Sequence, residues 1–115
     1  MSNLMMAIRL AMEPVRTLAF GTISGTYMGV GTPIDNPARM IFIQNLSDTT
    51  LMFSLDGIND NFPLPPNGFL LMDVTSNKSL GSGYFIAEGT RIYVKDLGPA
   101  ATLGSVYVTV MYATD

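Results

Sequence analysis

The stretch "GSVYVTVMYA", Gly104 to Ala113, has a side-chain period of two. Val106, Val108, Val110 and Tyr112 fall on one side, and Ser105, Tyr107, Thr109 and Met111 on the other. Only an extended strand places every second residue on one face, so this pattern buries its valines as β-structure. The period recurs in "TLMFSLD", "GFLLMDV" and "TRIYVKD", where Phe53, Leu55, Leu71, Ile92 and Val94 join the valines as expected core. In "ARMIFIQN", Met40 and Phe42 oppose Ile41 and Ile43. Both phases are apolar there, which suits a central strand or one covered by a partner.

Turn signals separate these runs roughly every 8–12 residues, the spacing of a sandwich or barrel. No helix-period segment lies between them, which excludes parallel βαβ units. The expectation is an all-β, antiparallel, jelly-roll-like β-sandwich of about seven or eight strands, 40–45, 51–56, 69–74, 91–96 and 105–112 among them. "VRTLAFGTISGTYMGV" reads as one long bent strand or two strands with a bulge, "SGYFIA" as a further strand, and Gly31 to Pro37 as a loop.

Residues 1–13 form a separate unit, an N-terminal arm ahead of a sandwich domain over 14–115. Ser2 or Asn3 would cap a short helix that Pro14 stops, with Leu4, Ile8 and Ala11 on one face. Such a helix is too short to stand alone. It docks on its own domain or, as the stronger expectation, on a neighbouring subunit, with Leu4, Met5, Met6, Ile8 and Met12 as contact residues. Arg9 interrupts the apolar run and no A-x-A-like cleavage pattern follows, so a secretory signal is not expected. No apolar run is long enough for a transmembrane helix.

Composition removes whole classes of chemistry. The 115 residues include no cysteine and no histidine, so disulfides, thiolate sites, imidazole ligands and a histidine base are all excluded. Charged residues are only 13%, about half the usual share, so part of the apolar surface is expected to meet a partner. The six cations (Arg9, Arg16, Arg39, Lys78, Arg91 and Lys95) are scattered, which gives no footprint for nucleic acid.

"LDGINDNFPLPPNGFLLMDVTSN", Leu55 to Asn77, concentrates the oxygen-bearing side chains. Asp56, Asn59, Asp60 and Asn61 would be the ligands of a calcium ion, but the spacing does not match an alternating ligand loop ending in a bidentate glutamate. Asp56, Asp60, Asp73 and Glu88 would supply an acid–base pair, but such pairs sit in clefts with sugar-stacking aromatics, and this chain has no tryptophan. Asp56-Gly57 and Asn67-Gly68 are the dipeptides of tight turns, which explains most of this content. Neither a catalytic residue, a metal nor a cofactor is expected. "GVG" at Gly29 lacks the helix of a phosphate loop, and "GSG" at Gly81 lacks the context of a nucleophile elbow.

Residues 39–113 carry a resemblance. "FIQNLSDTTLMFSLDGINDNFPLPPNGFLLMDVTSNK", "YFIAEGTRIYVKDLG" and "GSVYVTVMYA" are similar to the wording of small β-sandwich virion proteins of tailed bacteriophages. The resemblance implies a non-enzymatic structural subunit, made in the host cytoplasm and located in the virion. Its place would be a neck or head–tail connector ring, a tail part, or a capsid decoration. Its partners would be other copies of itself and other virion proteins (portal, capsid or tail), with no nucleic acid and no membrane. The alternative is a carbohydrate-binding module using Tyr84, Tyr93 and Tyr107 as a stacking platform.

Overall fold

The computed structural model describes residues 9–74 and 86–114. Within them the chain is all-β: nine strands in two antiparallel sheets and a single 3-10 turn, Phe20–Thr22. The larger sheet holds β1 (Arg9–Met12), β2 (Arg16–Ala19), β4 (Ala38–Asn45), β7 (Phe69–Asp73) and β9 (Ser105–Thr114). The smaller holds β3 (Met28–Gly29), β5 (Leu51–Ser54), β6 (Phe62–Leu64) and β8 (Tyr93–Asp96).

Strand order is β1/β2-β9-β4-β7 in one layer and β3-β8-β5-β6 in the other. β1 and β2 lie end to end on the same edge of β9: Met12 opposes Met111, and Arg16 opposes Val108. A one-residue slip at the intervening Glu13-Pro14-Val15 splits what is otherwise one strand position. Counted that way there are eight positions. From β2 onward, every connection except β5–β6 crosses between the layers, which is the wiring of a jelly roll.

The core is the inward phase of each strand. Val106, Val108 and Val110 of β9, Ile41 and Ile43 of β4, Leu51 and Phe53 of β5, and Val94 of β8 are fully buried, with Ile92 beside them. Phe53 stacks on Phe62 at 5.3 Å between ring centres. β4 is central, flanked by β7 and β9. Asn45 continues its inward phase and is fully buried. Its Nδ2 donates to the carbonyls of Thr49 and Leu64 at 2.9 Å, and its Oδ1 accepts from the Ser47 N–H at 3.0 Å. That amide joins β4 of one sheet to β6 of the other, at no cost in unpaired polar groups.

Three expectations need correction. Leu55 is 37% exposed, because β5 ends at Ser54 and the chain turns, so Leu55 drops out of phase. Leu71 is 50% exposed: pairing with β4 sets it opposite Phe42, on the outer phase, while Leu70 and Met72 turn inward. The helix foreseen for the N-terminal arm is absent at its described end, where Arg9–Met12, Met12 included, pair as a strand with this chain's own β9. A free sheet edge there offers backbone partners that outweigh a weak helical period. Leu4, Met5, Met6, Ile8, Tyr84 and most of the "SGYFIA" run lie outside the described residues. Of the two readings of "VRTLAFGTISGTYMGV", the two-strand one holds, but β2 and β3 lie in different sheets and a 3-10 turn stands between them in place of a bulge.

Candidate assembly face

The outward phase of the larger sheet carries a band of large apolar side chains across β1, β9, β4 and β7, with Thr17, Gln44, Asp73 and Thr109 among them. Register places Met12, Met111 and Met40 in one row that ends at Asp73. The next row is Thr109, Phe42 and Leu71, and the one after is Thr17, Tyr107, Gln44 and Phe69. Phe42 meets Phe69 edge-to-face at 5.5 Å. Met12 is 65% exposed, Phe69 63% and Leu10 53%. Isolated exposed leucines are ordinary, but a band of apolar side chains running across neighbouring strands of a small domain makes this face the candidate contact region.

The outward phase of the smaller sheet is built differently. Arg91 lies across Gly29, where a Cβ would stand 2.2 Å from the guanidinium, so any larger residue would push the arginine head aside. Its Nε donates to the Gly31 carbonyl at 2.7 Å, and its guanidinium stands 5.7 Å from the centre of the Tyr93 ring. Lys95 Nζ lies 4.6 Å from the Tyr27 ring centre and 3.2 Å from Asp60 Oδ1. The Tyr27 hydroxyl donates to the same carboxylate. Desolvation, then Asp60, push the Tyr27 phenol up to about 12. The Tyr27 hydrogen bond and Lys95 hold Asp60 below the usual carboxylate range.

Glu13, between β1 and β2, is buried with Arg16. Its Oε1 lies 2.9 Å from Arg16 Nη2, and its Oε2 accepts from the Asp35 N–H at 3.1 Å and from Asn36 Nδ2 at 2.8 Å. Arg16 Nε donates to the Thr32 carbonyl at 2.7 Å and Nη2 to that of Pro33 at 3.0 Å. Burial raises the Glu13 pKa, but these hydrogen bonds and the Arg16 charge outweigh it and leave the carboxyl below its ordinary value. A cleft of about 290 Å³ opens beside this clasp, bounded by Pro14, Thr17 and Gly31. The arginine already spends its Nε and Nη2 on protein oxygens.

The oxygen-rich stretch serves its own turns. Asp56 Oδ1 accepts from the N–H groups of Ile58 at 2.8 Å and Asn59 at 2.9 Å and from the Ser54 hydroxyl at 2.7 Å, and Oδ2 from Asn59 Nδ2 at 2.7 Å. These bonds, led by the Asn59 and Ile58 amides, hold its carboxyl far below the ordinary range. Gly57 takes φ 75° and Asn67 φ 64°; in the second turn it is Asn67, not Gly68, that adopts the left-handed conformation. The Gly68 N–H closes that turn on the Pro65 carbonyl at 2.8 Å. Asp73 sits at the corner of the apolar face, and Glu88 is exposed in the turn before Thr90. Among the described residues, no group of three or more acidic side chains is placed to hold a metal ion, and no helix is long and apolar enough to cross a membrane.

Tyr93 and Tyr107, the two described members of the supposed sugar platform, lie on different sheets and face opposite sides of the sandwich. The apolar face was half legible, since Met40 and Phe42 on the second phase of β4 signalled it. Glu13 and Asn45 were missed. The one signal for Asn45 was a polar residue continuing the inward phase of Ile41 and Ile43. No protein-family model matches the chain, and no curated protein matches it.

Proposed function

We propose that this chain is a non-enzymatic assembly subunit that packs the outer face of its larger sheet against other copies of itself. The carrying observation is the continuous apolar surface of Met12, Met111, Met40, Phe42, Leu71 and Phe69. A domain of this size gains little by exposing such a surface, and burial of it drives association. The resemblance over 39–113 gives the setting: a tailed-bacteriophage virion, in a ring or cluster at the neck, or as a capsid decoration. The jelly-roll wiring fits that setting, being an architecture that recurs in viral capsid domains as well as lectins. The fold alone does not carry the function.

The test is light scattering coupled to gel filtration on the purified chain and on Leu71→Asp. The parent is expected as an oligomer and the variant as a monomer with an unchanged circular-dichroism spectrum. A monomeric parent at high concentration would sink self-assembly through this face.

A further inference from the structure

β1 is attached to the sandwich in an unusual way. Its four residues form a ladder with Met111 to Thr114 of β9. Of its residues Arg9, Leu10 and Met12 are exposed and only Ala11 is partly buried, and none belongs to the core. Ala113 and Thr114 extend beyond the last pairing of β9 with β4, at Tyr112 opposite Ala38, so among the described residues they pair with β1 alone. The chain is then pinned hard at Glu13, whose carboxylate is held by Arg16, Asp35 and Asn36. Pro14 follows, with a fixed φ and no N–H to give. A strand held by its ladder, a fixed shoulder behind it, and an acceptor edge that needs it therefore coexist in one molecule.

We propose that β1 is an exchangeable arm, and that in the assembly it pairs with β9 of a second copy rather than its own. The exchange replaces each ladder by an identical one, so it costs no hydrogen bond and loses no core contact. Detachment breaks only a short backbone ladder, because Leu10 and Met12 are already exposed. Glu13 stays in its own subunit and fixes where the crossing begins. This deepens the assembly reading and rests on it: the outer face holds copies side by side, and the arm ties them together.

The absence of cysteine makes a direct test available. The Glu13 N–H bonds the Val110 carbonyl at 3.0 Å, so by alternation Leu10 and Ala113 form a non-hydrogen-bonded pair, the closer kind. Leu10→Cys and Ala113→Cys are made as separate variants, mixed, held at assembly concentration and oxidised mildly. Exchange predicts a shift from monomer to disulfide-linked dimer on a non-reducing gel, and no such shift when Leu10→Cys is mixed with Ile58→Cys, a distant exposed loop position. The double variant Leu10→Cys/Ala113→Cys is oxidised in parallel. If it locks within single chains while the mixed single variants stay monomeric on the gel, the arm remains at home and the exchange is overturned. If it forms no disulfide of either kind, the arm does not lie on β9 and the exchange is again overturned. Particle size is read on the same samples: a large particle without the mixed disulfide rejects the arm and leaves the face reading intact.

Discussion

The two outer faces of this sandwich start from the same geometry and end with opposite chemistry. On the smaller sheet the outward cations have partners in the same chain: Lys95 with Asp60 and Tyr27, and Arg91 with Gly31 and Tyr93. On the larger sheet the largest outward groups are methionine, phenylalanine and leucine, which make no polar bonds and are stabilised by apolar contact. A face that resolves its interactions internally is finished as a surface. On the proposed reading, a face that leaves them open is finished by another molecule.

The sharpest way to break this contrast is a charge on the apolar face. Leu71→Asp is expected to weaken self-association by about 100-fold or more, on the order of 3 kcal/mol, with little change in melting temperature. Equal loss of stability and association would mean that Leu71 belongs to the fold. Val108→Ala probes the interior that the faces share. It should cost about 1–3 kcal/mol in chemical denaturation by lost burial and a cavity, with the oligomer unchanged at temperatures below the melt.

The clasp between β1 and β2 adds a pH dependence. The folded pKa of Glu13 lies below its ordinary value of 4.5, so the folded state binds this proton less readily than the unfolded chain. Its stabilisation is complete above 4.5 and is lost as pH falls through the lowered folded value. Melting temperatures should therefore drop on acidification below that point, and Glu13→Gln should flatten that part of the profile. An unaltered profile in the variant would remove Glu13 from the account.

Lys95→Ala is expected to change stability by less than about 1 kcal/mol, as exposed pairs do, and to leave association untouched. A loss of oligomer in this variant would move the contact to the other face. The smallest expected effect is from calcium. The Asp56 carboxylate is already taken up by Ser54, Ile58 and Asn59, so melts with calcium and with chelator should coincide.

Strand positions were legible wherever one phase was apolar and the other was not. β9 is the clearest case, with three valines against serine, tyrosine and threonine. β7 defeated the same logic, because Phe69 and Leu71 compete with Leu70 and Met72, and only pairing with β4 decides which set turns inward. At the N-terminus, Leu4, Ile8 and Ala11 spell a helical face, yet the pairing edge of β9 draws Arg9–Met12 into a strand. Buried polar residues were the least visible. The partners of Glu13 include Asp35 and Asn36, and Asn45 reaches Leu64, so what satisfies each of them lies far away in sequence. The turns were read from Asp56-Gly57 and Asn67-Gly68, whose chemistry is contained in the dipeptide itself.

The register that sets Arg9 opposite Thr114 has a practical corollary. The chain enters and leaves the described fold side by side, at the end opposite the loops 46–50, 65–68 and 97–104. A fluorescent protein or peptide joined directly at Arg9 or at Thr114 would emerge from one pole and leave the other pole bare. Two copies joined in tandem by a short flexible linker would keep both sandwiches whole.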